Sequence, residues 1–71
     1  MIIKIYGEYI KLSQLLKKID EVDSGGTAKF FLQNKINKVL INGKQTTERN
    51  KKVYPGDIIW INNIVHKVEK E

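Results

Sequence analysis

Cysteine is absent from the 71-residue sequence. That excludes a disulfide framework and a thiolate metal site, and it fits a chain that works in the cytoplasm. Histidine occurs once, as His66. It falls in a predicted strand without an obvious partner and reads as a surface or half-buried strand residue, not a general base. No apolar run approaches the roughly 20 residues of a membrane span. The opening Met1-Ile2-Ile3-Lys4-Ile5 lacks the long apolar region and small-residue cleavage site of a signal peptide. Bulk is lacking too. A chain near this size buries only about 60% of the surface its unfolded form exposes, so one domain with one thin core, residues 1–71, is expected, without a deep active-site cavity. Asp20, Glu21 and Asp23 match no metal-ligand spacing and serve as helix-end charges. The sequence thus predicts no catalytic residue, metal, cofactor or small-molecule substrate.

Negative charge is scarce in one third of the chain. Between Lys29 and Lys52 stand Lys29, Lys35, Lys38, Lys44, Arg49, Lys51 and Lys52 against Glu48 alone, a local charge of +6 in a chain of net +5. The basic excess is therefore entirely local. A lysine-rich solvated surface is the plain explanation, and a polyanionic partner is the functional one.

What is present divides by period. Ile2, Ile3 and Ile5 form a short β-rich run, with a turn at Tyr6-Gly7-Glu8 and a second extended piece at Tyr9-Ile10-Lys11. Leu12, Leu15, Leu16 and Ile19 then fall at i, i+3, i+4 and i+7, one face of a helix, with Ser13 as a candidate N-cap. Asp20 to Asp23 closes it. Asp23-Ser24-Gly25-Gly26-Thr27-Ala28-Lys29 opens a second helix, with Ser24 as N-cap, running to about Ile36. Ala28, Phe31, Leu32 and Ile36 share its inner face; Phe30 points away, free to stack on a base or, as expected, to pack against the first helix. Asn34 or Asn37 would end it in the left-handed conformation. Glycine in a helix costs roughly 1 kcal/mol against alanine, so Gly25-Gly26 implies close approach to that backbone, by an anion at the helix start or by a neighbouring helix.

From Lys38 the period is two. Val39-Leu40-Ile41 is a strand, Asn42-Gly43 a type I′ hairpin turn, and Gln45-Thr46-Thr47 the return strand. Glu48 to Lys52 is too polar for a core. Tyr54-Pro55-Gly56-Asp57 is a turn, Ile58 to Ile61 a strand, Asn62-Asn63 a tight turn, and Ile64 to Val68 the last strand. The fold class is α+β: two short packed helices against a small, mostly antiparallel sheet. Lys29, Lys44, Arg49, Lys51 and Lys52 can share a phosphate-binding footprint if the strands fold back beside the second helix, with Arg49 suited to bidentate contact.

Taken together, Ile10-x-Leu12 before Leu15-Leu16-Lys17, Ser24-Gly25-Gly26-x-Ala28-Lys29, Val39-x-Ile41-Asn42-Gly43, Glu48-Arg49-x-x-Lys52 and Gly56-Asp57 resemble the RNA-binding domain named after small-subunit ribosomal protein four, the S-four domain or αL motif. The resemblance spans Tyr9 to Ile61 and is strongest to small stand-alone bacterial members. It implies a face for structured RNA, ribosomal above all, made by the start of the second helix (Ser24, Gly25, Gly26, Lys29) and the basic loop and strand after Asn42-Gly43. A monomer is expected. The sequence departs from the family pattern at Gly25, where many members carry an arginine on RNA, at Asn50, where a second arginine often stands, and in a slightly longer segment before Val39. With no obvious exposed aromatic cluster, recognition by shape and phosphates is expected over base edges. Two other functions stay open: a protein–protein adaptor using the basic face, and a ubiquitin-like β-grasp fold suggested by the first eight residues and Pro55 to Ile59. The carrier chemistry of the latter needs a C-terminal Gly-Gly, whereas this sequence closes on Val68-Glu69-Lys70-Glu71.

Overall fold

Leu12, Leu15 and Leu16 line one face of the first helix, α1 (Leu12–Lys18), and all three are fully buried in the computed structural model, which describes residues 1–23 and 25–71. The helix starts one residue ahead of Ser13. Lys11 takes the N-cap position in an extended conformation and offers no side-chain cap. The exposed N–H groups find main-chain partners instead: Leu12 donates to the Lys51 carbonyl and Ser13 to the Arg49 carbonyl, each at 2.8 Å. A long-range loop thus does the work expected of the Ser13 hydroxyl. At the other end Asp20 sits at φ 61°. Its N–H donates to Lys17 O and the Glu21 N–H to Leu16 O, the paired closure of a Schellman motif with aspartate in the left-handed position.

The second helix, α2 (Gly25–Gln33), packs on α1. Ala28 and Leu32 are buried and Phe31 lies against the core; Ser24, its expected N-cap, is outside the described residues. The helix stops before Ile36 because Asn34 Oδ1 accepts the Ile36 N–H, while Asn37 Nδ2 donates to Phe31 O. These asparagines terminate the helix through their side chains; the left-handed non-glycine residues among those described are Asp20, Asn42, Asn62 and Asn63. Three expectations therefore fail, the first being the left-handed closure at Asn34 or Asn37. Ile36, beyond the helix, is 82% exposed, and Phe30, on the side opposite Ala28 and Leu32, is 72% exposed and not packed on α1.

Among the described residues the strands are β1 (Ile2–Ile5), β2 (Ile10–Lys11), β3 (Val39–Ile41), β4 (Lys44–Gln45), β5 (Lys52–Val53), β6 (Ile58–Ile61) and β7 (Ile64–Lys70). Five form one sheet in the order β1-β7-β6-β3-β4, antiparallel except for the parallel β1–β7 pair. The return strand is shorter than expected because the Thr46 hydroxyl accepts the Glu48 N–H and turns the chain away. Alternation sends Ile3, Ile5, Val39, Ile41, Ile59, Ile61, His66 and Val68 to the inner face. Their apolar members join α1, α2 and Val53 in one core. On the outer face Leu40 lies opposite Trp60 and Trp60 opposite Val65. The remaining strands, β2 and β5, make a small antiparallel sheet with Ile10 opposite Val53 and Lys11 opposite Lys52. The α+β class is as the sequence predicts. No described helix is long and apolar enough to cross a membrane.

Candidate nucleic-acid interface

Two tight turns build the site. In the β3–β4 hairpin Asn42 and Gly43 have φ of 52° and 85°, the positive pair that a type I′ turn demands. In the β5–β6 connection Pro55 presets one φ, Gly56 supplies another of 95°, and Asp57 N–H closes on Tyr54 O at 3.0 Å. The turns are clamped to each other. Asp57 accepts the Tyr54 N–H at 2.9 Å and Asn42 Nδ2 at 3.0 Å; Asn42 Oδ1 accepts the Ile58 N–H at 2.9 Å. Asn42 and Asp57 are therefore structural, as the turn chemistry predicts. Asn42→Ala removes two of these bonds and leaves a Cβ at positive φ, so it should cost about 1–3 kcal/mol. Urea unfolding checks this, with Asn42→Gly losing less because its backbone is unstrained.

Between the clamped turns opens a groove of about 530 Å³, whose lining includes Lys44, Thr46, Lys51, Lys52, Tyr54 and Asp57. Three of the five predicted basic residues, Lys44, Lys51 and Lys52, meet on it. All three are exposed. Among the described residues the one ion pair is Lys67–Glu69 at 3.9 Å, so no carboxylate neutralises the groove lysines at that range. The other predicted residues are elsewhere. Arg49 is exposed in the same loop but does not line the groove, and its carbonyl holds the start of α1. Lys29 is exposed on α2, near Gly25 and Gly26 at that helix's start.

The expectation of no exposed aromatic cluster is corrected. Tyr9 and Tyr54 are 39% and 47% exposed, with ring centroids 5.9 Å apart and planes tilted by 50°. Lys52 Nζ sits 4.8 Å from the Tyr9 centroid, a cation–π contact. The cluster follows from the β2–β5 pairing. Ile10 and Val53 turn inward, and the alternating neighbours Tyr9, Lys11, Lys52 and Tyr54 turn outward together. The two alternating triplets were visible in the sequence; that they pair was not.

His66 is also relocated. It is 4% exposed, on the inner face of β7, and its Nδ1 is buried without a hydrogen-bond partner. Burial and the charge of the amino terminus push its pKa below the ordinary 6.5, against a smaller opposing pull from Glu21. A nitrogen held in the core is poorly placed for proton transfer to a ligand. Among the described residues no group of three or more histidine, cysteine or acidic side chains could hold a metal ion.

The arrangement offers exposed cations, aromatic faces and clamped turns. Comparison with known proteins adds the family. The family model described as the S4 domain matches residues 3–69. A Bacillus subtilis (strain 168) protein named "Probable ribosome maturation protein RlbA" is 42% identical over 59 residues, which cover 83% of this chain and 80% of that protein. With the helix pair, the basic loop and both turn motifs in place over the matched span, the chain belongs to the S4-domain family.

Proposed function

We propose that the chain is a non-catalytic module that binds structured RNA, ribosomal RNA in particular, in the cytoplasm. The observation that carries this is the meeting of Lys44, Lys51 and Lys52 on one groove, where neither of the two lining carboxylates, Glu48 and Asp57, pairs with them within 4 Å. Phosphate binding needs several cations within one footprint, and a site that only solvates the protein has no need to gather them. Membership of the S4-domain family and the similarity to a protein named for ribosome maturation support the choice of RNA and of ribosomal RNA within it. Arg49 extends the surface along the same loop. Lys29 and the backbone of Gly25 and Gly26 provide a further edge on α2.

The test compares two double variants of equal charge change. Lys44→Ala with Lys51→Ala removes two groove cations; Lys4→Ala with Lys70→Ala removes two from β1 and β7. Each lost phosphate contact flattens the dependence of log K on log salt by about 0.7–0.9. The groove variant should bind a folded ribosomal RNA fragment more weakly, with a slope shallower by about 1.4–1.8, while the control keeps the wild-type slope. Equal losses in both variants would mean that net charge alone matters. An unchanged affinity in both would favour a protein partner for the basic face.

A further inference from the structure

We infer that Tyr54, braced by Tyr9, is a stacking seat for an unpaired nucleobase of the RNA whose phosphates the groove lysines hold. The inference rests on the RNA-binding function proposed above and adds the part of the ligand that the tyrosines take. Three observations carry it. The first is exposure with contact. Two tyrosines touch each other yet leave 39% and 47% of their surface open, although a core of apolar side chains lies on the other side of the same two strands. A ring pair formed only for stability gains more by burial.

The second is charge placement. The β2–β5 register sets Lys11 directly opposite Lys52. Like charges in that position destabilise a strand pair, and β2 and β5 are only two residues each. An anion bound over this face offsets the repulsion. The third is continuity. Tyr54 and Lys52 line the same groove as Lys44 and Lys51, so an aromatic face and several cations border one volume of about 530 Å³, a size that suits a small organic group. One nucleotide presents the matching pair of features, a flat base and a phosphate. Lys52 already occupies the Tyr9 ring at 4.8 Å, which fixes Tyr9 as the brace and leaves Tyr54 as the seat. A phosphate surface alone uses no aromatic ring, and a fully paired helix offers no free base face. The preferred ligand is therefore structured RNA with a bulged or looped-out base beside the phosphates.

The experiment uses two hairpin RNAs identical except for a single bulged 2-aminopurine, whose fluorescence drops on stacking. Wild type should bind the bulged hairpin more tightly and quench the probe. Tyr54→Leu keeps apolar bulk but removes the ring, and should weaken binding of the bulged hairpin roughly five- to a hundredfold, the range for one base–aromatic stack. Its affinity for the paired hairpin and its salt slope should not change. Tyr54→Phe should behave as wild type. Tyr54→Trp, with a larger ring, should quench at least as strongly, and it supplies the readout if the leucine variant proves unstable in a thermal melt. Retention of the bulge preference by Tyr54→Leu, or equal binding of both hairpins by wild type with no quenching, overturns the stacking seat and leaves RNA binding standing. Failure of wild type to bind either hairpin or a ribosomal RNA fragment overturns both.

Discussion

Leu16→Ala should remove about half of the stability of this chain. Leu16 is fully buried in α1, on the helix face that it shares with Leu12 and Leu15 and that meets the core. Truncating such a leucine costs about 2–5 kcal/mol, the lost transfer energy plus that of the cavity left behind. Total stability at this chain length is about 4–11 kcal/mol, so the change takes a large share of it. The helix has little in reserve. It is seven residues long, too short to persist without tertiary packing. The melting temperature should fall by about 10–30 °C, measured by circular dichroism. Phe30→Ala is the contrast: a larger side chain, but 72% exposed, so it should shift stability by no more than about 0.5 kcal/mol. Comparable losses in both variants would mean that Phe30 packs on a neighbour and that the buried face of α2 has been misassigned.

Local patterns account for what the sequence made legible. The leucines of α1 repeat at helical spacing, and the strands from Val39 onward alternate, so element types and core faces could be read directly. Asn42-Gly43 and Pro55-Gly56 named their turns because only a few residues tolerate those dihedrals. Features set by distant partners were not legible. The start of α1 is capped by the carbonyls of Arg49 and Lys51, and nothing near Ser13 announces that a loop will arrive there. The parallel pairing of β1 with β7 joins the two ends of the chain. The end of α2 depended on which group Asn34 would bond.

The site divides in the same way. The lysine excess marked a region, but folding chose three of its members for the groove and left Arg49 and Lys29 off it. In the sequence Tyr9 belongs to an extended piece and Tyr54 to a turn, with nothing local to join them. Only the pairing of β2 with β5 makes them neighbours. The backbone contacts of the basic loop bear on the proposed binding of RNA. By giving its carbonyls to α1, the loop holds Lys51 and Lys52 at a fixed place beside the clamped turns. Less side-chain and loop entropy is then lost when a polyanion binds.

Stability should also fall on acidification through His66. Its side chain is 4% exposed and its Nδ1 has no hydrogen-bond partner. Burial, reinforced by the amino-terminal charge and only partly opposed by Glu21, lowers its folded-state pKa below 6.5, while the unfolded chain keeps a value of about 6.5. Above that pH both states are neutral at His66, and the residue adds no pH dependence. As the pH drops below it, the unfolded state takes up a proton that the folded state refuses. More protons bound in the unfolded state means that unfolding becomes easier as pH falls. The slope stays below the one-proton limit of about 1.4 kcal/mol per pH unit, and it levels off once the pH passes below the folded-state pKa. His66→Leu removes the titration and the unpaired nitrogen together. The stability difference between wild type and this variant, from urea unfolding, should be flat from about pH 8 to pH 7, turn against wild type as the pH drops through about 6.5, and level off once the folded state is protonated as well. A difference that stays constant across that whole range would show that His66 titrates equally in both states and is open to water in the folded chain.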